Sequence, residues 1–201
     1  IIESILLMLL LYSVGIICTL YIHPLGKNIA LIAILPLLIL YTPILKNIPL
    51  VGNFVIALSL GIVFIFTEAS INGYIDKMLI PFLLAFILSM IRELLKDAAD
   101  IKGDTHAKIN TLSTKYGLYA TLYVSRLFFI FLIIISLIPF LFGNYGMIYL
   151  VLLTLLIIIP LFIILFFKLD QSSIDSNYKQ AAYLLKFITI AGMLVIFSIM
   201  L

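Results

Sequence analysis

The sequence predicts an all-α fold, a polytopic bundle of membrane helices, and three observations carry that reading. Of 201 residues, 65% are hydrophobic and 10% are charged, where a soluble domain averages about 25% charged. The mean hydropathy is +1.35, which is more apolar surface than a soluble core encloses, so lipid is the solvent for most of the chain. The apolar residues fall in seven runs, near 4–22, 29–45, 50–67, 75–92, 117–142, 145–167 and 181–201, most of them close to the ~20 residues a spanning helix needs. The expected architecture is one membrane domain over residues 1–201 with seven transmembrane helices.

The first run, 4–22, opens with neither a charged leader nor a small-residue cleavage site, so it is not a signal peptide. Residue 1 is Ile, and the expectation is a fragment that has lost an N-terminal part. Cys18 lies in this run. As the lone cysteine it forms no internal disulfide and reads as a small core residue. His23 and Pro24 mark an exposed turn. The run 29–45 is short and holds Pro36, which a membrane helix tolerates when neighbours satisfy the freed carbonyl. The runs 50–67 and 75–92 fit one span each, and 117–142 carries the one charge clearly inside a later run, Arg126. The connections 23–28, 46–49 and 143–144 are short, which implies antiparallel neighbours.

Alternate connections lie on alternate sides of the membrane. One side holds Lys46, Arg92, Lys96, Lys102, Lys108, Lys115, Lys168 and Lys179, and the other only Lys27 and Lys77. The positive-inside rule puts the first side in the cytoplasm, in the cell (inner) membrane of the expected host. Omitting one span, with Pro36 the place for such an error, inverts part of this orientation. The net charge of +3 is too small to suggest nucleic acid, and no obligatory protein partner is evident.

Four of the nine acidic residues fall in RELLKDAADIKGD, residues 92–104. On a helix at about 100° per residue, with Glu93 as zero, Asp97, Asp100 and Asp104 fall near 40°, −20° and 20°, one narrow stripe. Like charges at this spacing repel, so a positive group should lie against them. Magnesium is the natural candidate, a hard cation commonly held by one or two carboxylates plus substrate phosphates. Arg92, Lys96, Lys102 and Lys108 repel a free cation but suit one that arrives with a diphosphate. The alternative is a solvated, charged loop that caps a membrane helix, with Glu93 paired to Arg92 or a lysine.

These residues resemble a known family. RELLKDAADIKGD, followed by Thr111-Leu112, looks like the second aspartate-rich motif of the UbiA superfamily of intramembrane prenyltransferases, R-E-x-x-K-D-x-x-D-x-x-G-D with a T-L-P beyond. Upstream, YTPILKNIPLVGNFVIALSLG, residues 41–61, resembles the family's Y-S-x-x-L-K loop and its G-N-x-x-V-A helix. Members have nine membrane helices, and the seven runs would be the third to the ninth. The family's first motif, N-D-x-x-D, occurs nowhere here, so half of the metal site is absent and this chain alone is expected to be inactive. Lys108 stands where the family usually has glycine, Ser113 where it has the proline of T-L-P, and Asn110 where a basic residue often precedes.

The resemblance implies a magnesium-dependent prenyltransferase that moves an isoprenyl group from its diphosphate to a lipophilic acceptor within the bilayer. It assigns the metal to Asp97, Asp100 and Asp104, the diphosphate to Lys46, Arg92, Lys96 and Lys102, and the substrate cavity to Tyr41 and Asn53. Tyr41 reads equally as an interfacial belt residue and Asn53 as a helix bridge. The motif form most resembles the branch that prenylates geranylgeranylglyceryl phosphate, with quinone, chlorophyll or haem precursors as alternative acceptors. A different class, a transporter with intramembrane carboxylates, usually has them isolated near the midplane rather than clustered at an interface among lysines.

Overall fold

The computed structural model describes residues 2–142, 145–169 and 175–198. Every one of the seven apolar runs is helical there. In chain order the elements are α1 Ile2–Cys18, α2 Pro24–Tyr41, α3 Val51–Asn72, α4 Leu79–Ala99, the short α5 Ile101–His106, α6 Leu112–Leu141, α7 Met147–Lys168 and α8 Asp175–Phe197. Among the described residues five helices, α2, α3, α6, α7 and α8, are long and apolar enough to cross a membrane. The expected count of seven spans is therefore not established: α1 is shorter, and α4 carries Arg92, Glu93, Lys96 and Asp97 in its last turns. The connection expected at 143–144, residues 170–174 of the connection 168–180, and the 199–201 end of the last run lie outside the described residues.

Two prolines within long helices, Pro36 and Pro160, are accommodated by the same device. Pro36 and Pro160 lack the N–H that their helices need and crowd the carbonyl four residues earlier. A wide-turn π segment covers that carbonyl in each case, Ile29–Ile34 in α2 and Thr154–Ile158 in α7. The helix continues through the proline instead of ending. The second run is consequently one helix from Pro24, longer and earlier than the expected 29–45.

Helix α4 is the axis of the bundle. Twelve of its residues are buried, and it packs against α3, α6 and α8. Leu84, Ile87, Leu88, Ile91 and Leu95 join Leu132, Leu153, Leu161 and Leu185 in one hydrophobic cluster. Small hydroxyl residues on α6, Thr121 and Ser125, are fully buried, as expected where membrane helices approach closely. By contrast α1 is apolar all round, with Leu6, Leu10 and Leu11 about 60% exposed, a surface suited to lipid rather than water.

Two polar devices hold the ends. Glu68 on α3 is buried and accepts the backbone N–H groups of Asp76, Lys77 and Met78 at 2.9–3.1 Å, tying down the turn that starts α4. Arg126 on α6 donates from Nε and Nη2 to the Leu165 carbonyl at 3.0 and 2.8 Å, and from Nη2 to the Leu169 carbonyl at 3.3 Å. Its guanidinium lies 5.0 Å from the Phe166 ring centre.

Candidate functional site

The charged cluster begins where the apolar face of α4 runs out. Asn53 on α3 and Asp97 on α4 are brought together by the tight α3–α4 packing. Asn53 is buried, and its amide Nδ2 donates to Asp97 Oδ2 at 2.7 Å. One acceptor oxygen of Asp97 is thereby fixed and the carboxylate is oriented. Glu93, one turn back, is 3% exposed. It pairs with Lys96 Nζ at 3.5 Å and Arg92 Nη2 at 3.9 Å, the pairing the sequence allowed for.

The helix does not run unbroken through the acidic stripe. It ends at Ala99, and Asp100 leaves helical geometry at φ −99°, ψ 7° before α5 begins. The Asp100 N–H still bonds to the Lys96 carbonyl and the Asp104 N–H to the Asp100 carbonyl, both at 3.0 Å. The bend is therefore slight. Asp97, Asp100 and Asp104 line one pocket of about 170 Å³ with Glu93, Lys46, Lys96, Tyr41 and Asn53.

Loops from both sides close this pocket. The turn Leu45–Asn47 brings Lys46 over it and packs on Gly52, where a Cβ would lie 3.2 Å from the Lys46 carbonyl oxygen. On the far side Ile109, Asn110 and Thr111 complete the wall. Thr111 starts α6 with a capping box, its Oγ1 accepting from the Thr114 N–H and Thr114 Oγ1 from its own. Lys108 precedes them at φ 55°, a left-handed conformation that glycine adopts without strain. That is the position at which the resembled motif has glycine.

Two of the residues assigned to a diphosphate are elsewhere. Lys102 is exposed on α5 and is not among the pocket's lining residues. Arg92 lines a second, apolar cavity behind the first. Asn110 and Thr111 belong to the stretch that the family resemblance marks, but their place on the pocket wall, with Ile109, is not legible from the sequence, because a short polar stretch between helices carries no periodic signal. Glu68 and the carbonyls that Arg126 holds were missed for a related reason: their partners are backbone atoms, which leave no trace in residue identity.

Electrostatics follow from this crowding. Burial pushes the Asp97 carboxyl up to about 6, aided by the negative charges of Asp104 and Glu93 and opposed by the Asn53 hydrogen bond and Lys96. Burial and Asp100 also raise Asp104, opposed by Lys96 and Lys46. Among the described residues no three Asp, Glu, His or Cys side chains converge tightly enough to hold a metal unaided. Magnesium does not require such a cage, since one or two carboxylates, water and substrate phosphate oxygens commonly complete its shell. The all-oxygen acidic donors, with lysines at the rim, fit a metal that arrives with a diphosphate.

Comparison with known proteins is consistent from sequence to fold. A family model described as the UbiA prenyltransferase family matches residues 3–194. Digeranylgeranylglyceryl phosphate synthase of Natronomonas pharaonis is 34% identical over 143 residues, 71% of this chain and 51% of the relative. The enzyme of that name from Sulfurisphaera tokodaii is 31% identical over 180 residues, 89% of this chain and 63% of the relative. The chain thus spans about half to two thirds of the length of these relatives. A solved structure of a digeranylgeranylglyceryl phosphate synthase superposes with a TM-score of 0.81 at 26% identity, over 96% of this chain and 68% of that one.

Proposed function

This chain belongs to the UbiA prenyltransferase family and is an integral, multi-pass membrane protein; on that premise we propose that it transfers an isoprenyl group from its diphosphate to a lipophilic acceptor, with geranylgeranyl as the donor chain and geranylgeranylglyceryl phosphate as the acceptor. The names of the relatives support that choice of substrates. The observation that carries the reading is the pocket itself: three aspartates and two lysines face one space at the end of the bundle, backed by an apolar cavity of about 280 Å³. In this reading the helices form one membrane domain, with the acidic pocket on the cytoplasmic side, as the distribution of lysines indicates.

Each residue then has a task. Asp100 and Asp104 would hold magnesium, and Asp97, fixed by Asn53, would offer its remaining oxygen. Magnesium, when bound, supplies charge neutralisation for the leaving diphosphate. Lys46 and Lys96 donate to phosphate oxygens and stabilise the charge that develops as the allylic C–O bond breaks. Tyr41 on the pocket wall presents an aromatic face to the allylic cation, and the apolar cavity keeps water from it. The acceptor hydroxyl oxygen bonds to the allylic carbon and passes its proton to the departing diphosphate.

The test is binding of labelled geranylgeranyl diphosphate by the purified chain in lipid nanodiscs, with transfer of the label to geranylgeranylglyceryl phosphate followed in parallel. Binding that requires magnesium and is lost in EDTA supports the reading. Equal binding with and without the metal overturns it.

A further inference from the structure

The following rests on the donor reading above and adds to it a residue that selects chain length. The apolar cavity lies among α3, α4, α6, α7 and α8, and only Ser89, Arg92 and Thr189 interrupt its apolar wall. Helix α3 joins it to the acidic pocket, for Asn53 and Ile56 line the pocket and Leu60 and Phe64, on the same face one and two turns on, line the cavity. Leu84, Leu88 and Arg92 line the cavity, while Glu93, Lys96 and Asp97, in the next turn, line the pocket. At ~1.5 Å per residue along the axis, Leu88 is about 13 Å and Leu84 about 20 Å from Asp97. A diphosphate held at the aspartates therefore has a dry path for its tail along this face of α3.

Gly192 of α8 stands at the level of Leu88. A Cβ built there meets Leu88 Cδ2 at 3.5 Å and Ile157 Cδ1 at 3.6 Å, ordinary contact distances. Two other glycines differ. At Gly26 a Cβ collides with Ser70, and at Gly61 it comes within 3.0 Å of the Phe82 carbonyl oxygen, so those two are required by close helix approach. Gly192 is not. It forgoes helix propensity although the bundle has room for a side chain, and what it leaves is open space midway along the cavity. We propose that Gly192 is a specificity-determining position whose missing side chain lets a long isoprenyl tail pass Leu88 toward Leu84.

Competition among geranyl, farnesyl and geranylgeranyl diphosphates, with magnesium, for the chain in nanodiscs tests this. For Gly192→Leu and Gly192→Phe, geranylgeranyl diphosphate should bind at least about ten-fold more weakly, geranyl diphosphate within about two-fold of the parent, and Gly192→Ala should resemble the parent. Leu88→Phe narrows the same level from the opposite wall and should reproduce the shift, so the test survives failure of either large Gly192 variant to fold. Unchanged chain preference in the stable large variants overturns the assignment, as does equal loss of the short and long diphosphates at unchanged thermal stability. Failure of the parent chain to bind even geranyl diphosphate or inorganic pyrophosphate with magnesium overturns the donor reading itself.

Discussion

Asparagine at position 100 or 104 keeps the volume and one oxygen of the aspartate but removes the charge that holds a divalent ion. In a protein that also carries the family's first aspartate motif, Asp100→Asn and Asp104→Asn should each lower prenyl transfer about 100- to 1,000-fold, the usual loss for one electrostatic stabiliser of a developing charge, with thermal stability unchanged. Lys102→Ala should lose much less, because Lys102 lies outside the pocket wall. Parallel rate and melting measurements check this, and a matched fall in both quantities would favour a purely structural role. Asp97 predicts a pH dependence. Its carboxyl rises from 3.8 to about 6 in the folded, metal-free protein, so the folded state holds that proton more tightly than the unfolded chain does. Its unfavourable contribution is absent below about pH 4, grows up to about pH 6 and is complete above it. Stability of the metal-free protein should therefore fall as pH rises through that window. Asp97→Asn, which still accepts from Asn53, should remove that part of the slope, and melting curves from pH 4 to 7 without metal would show whether it does.

At the scale of elements, the wide turns are the recurring motif. They carry two helices past prolines, and a further π segment, Ile164–Lys168, ends α7. Helix ends leave carbonyls without intrahelical partners, and in a membrane no water replaces them. Arg126 supplies donors to the carbonyls of Leu165 and Leu169. Arg126→Met keeps length and apolar packing but leaves both oxygens unpaired, and should destabilise the protein by about 1–3 kcal/mol. Denaturation in mixed micelles measures this, and a loss near zero would mean that water or lipid headgroups reach that end of α7.

For the whole molecule, the contrast between α4 and α1 makes a quantitative point. Leu95 is fully buried in the bundle, and Leu10 on α1 is 59% exposed. Between lipid and protein interior the hydrophobic transfer term nearly vanishes, so only packing distinguishes them. Leu95→Ala should cost about 2 kcal/mol, the low end of buried leucine truncations, and Leu10→Ala within about 0.5 kcal/mol of zero. Equal effects at the two positions would contradict the placement of the packing core around α4.

Composition alone determined the helical membrane class, because a chain 65% hydrophobic must satisfy its backbone within helices. The long motifs exposed the acidic stripe, since helical period places Asp97, Asp100 and Asp104 together even where the helix bends at Asp100. What the sequence left open was whatever depends on distant segments or on backbone atoms. Only packing of α3 on α4 puts Asn53 against Asp97, forty-four positions apart. Only the fold turns Arg92 to the apolar cavity and brings the 109–111 loop to the pocket wall, whereas the helical period by itself already sets Lys102 about 160° from the stripe. Periodicity reports which residues share a face of one helix; which faces meet is decided by how side chains of different helices fill the space between them.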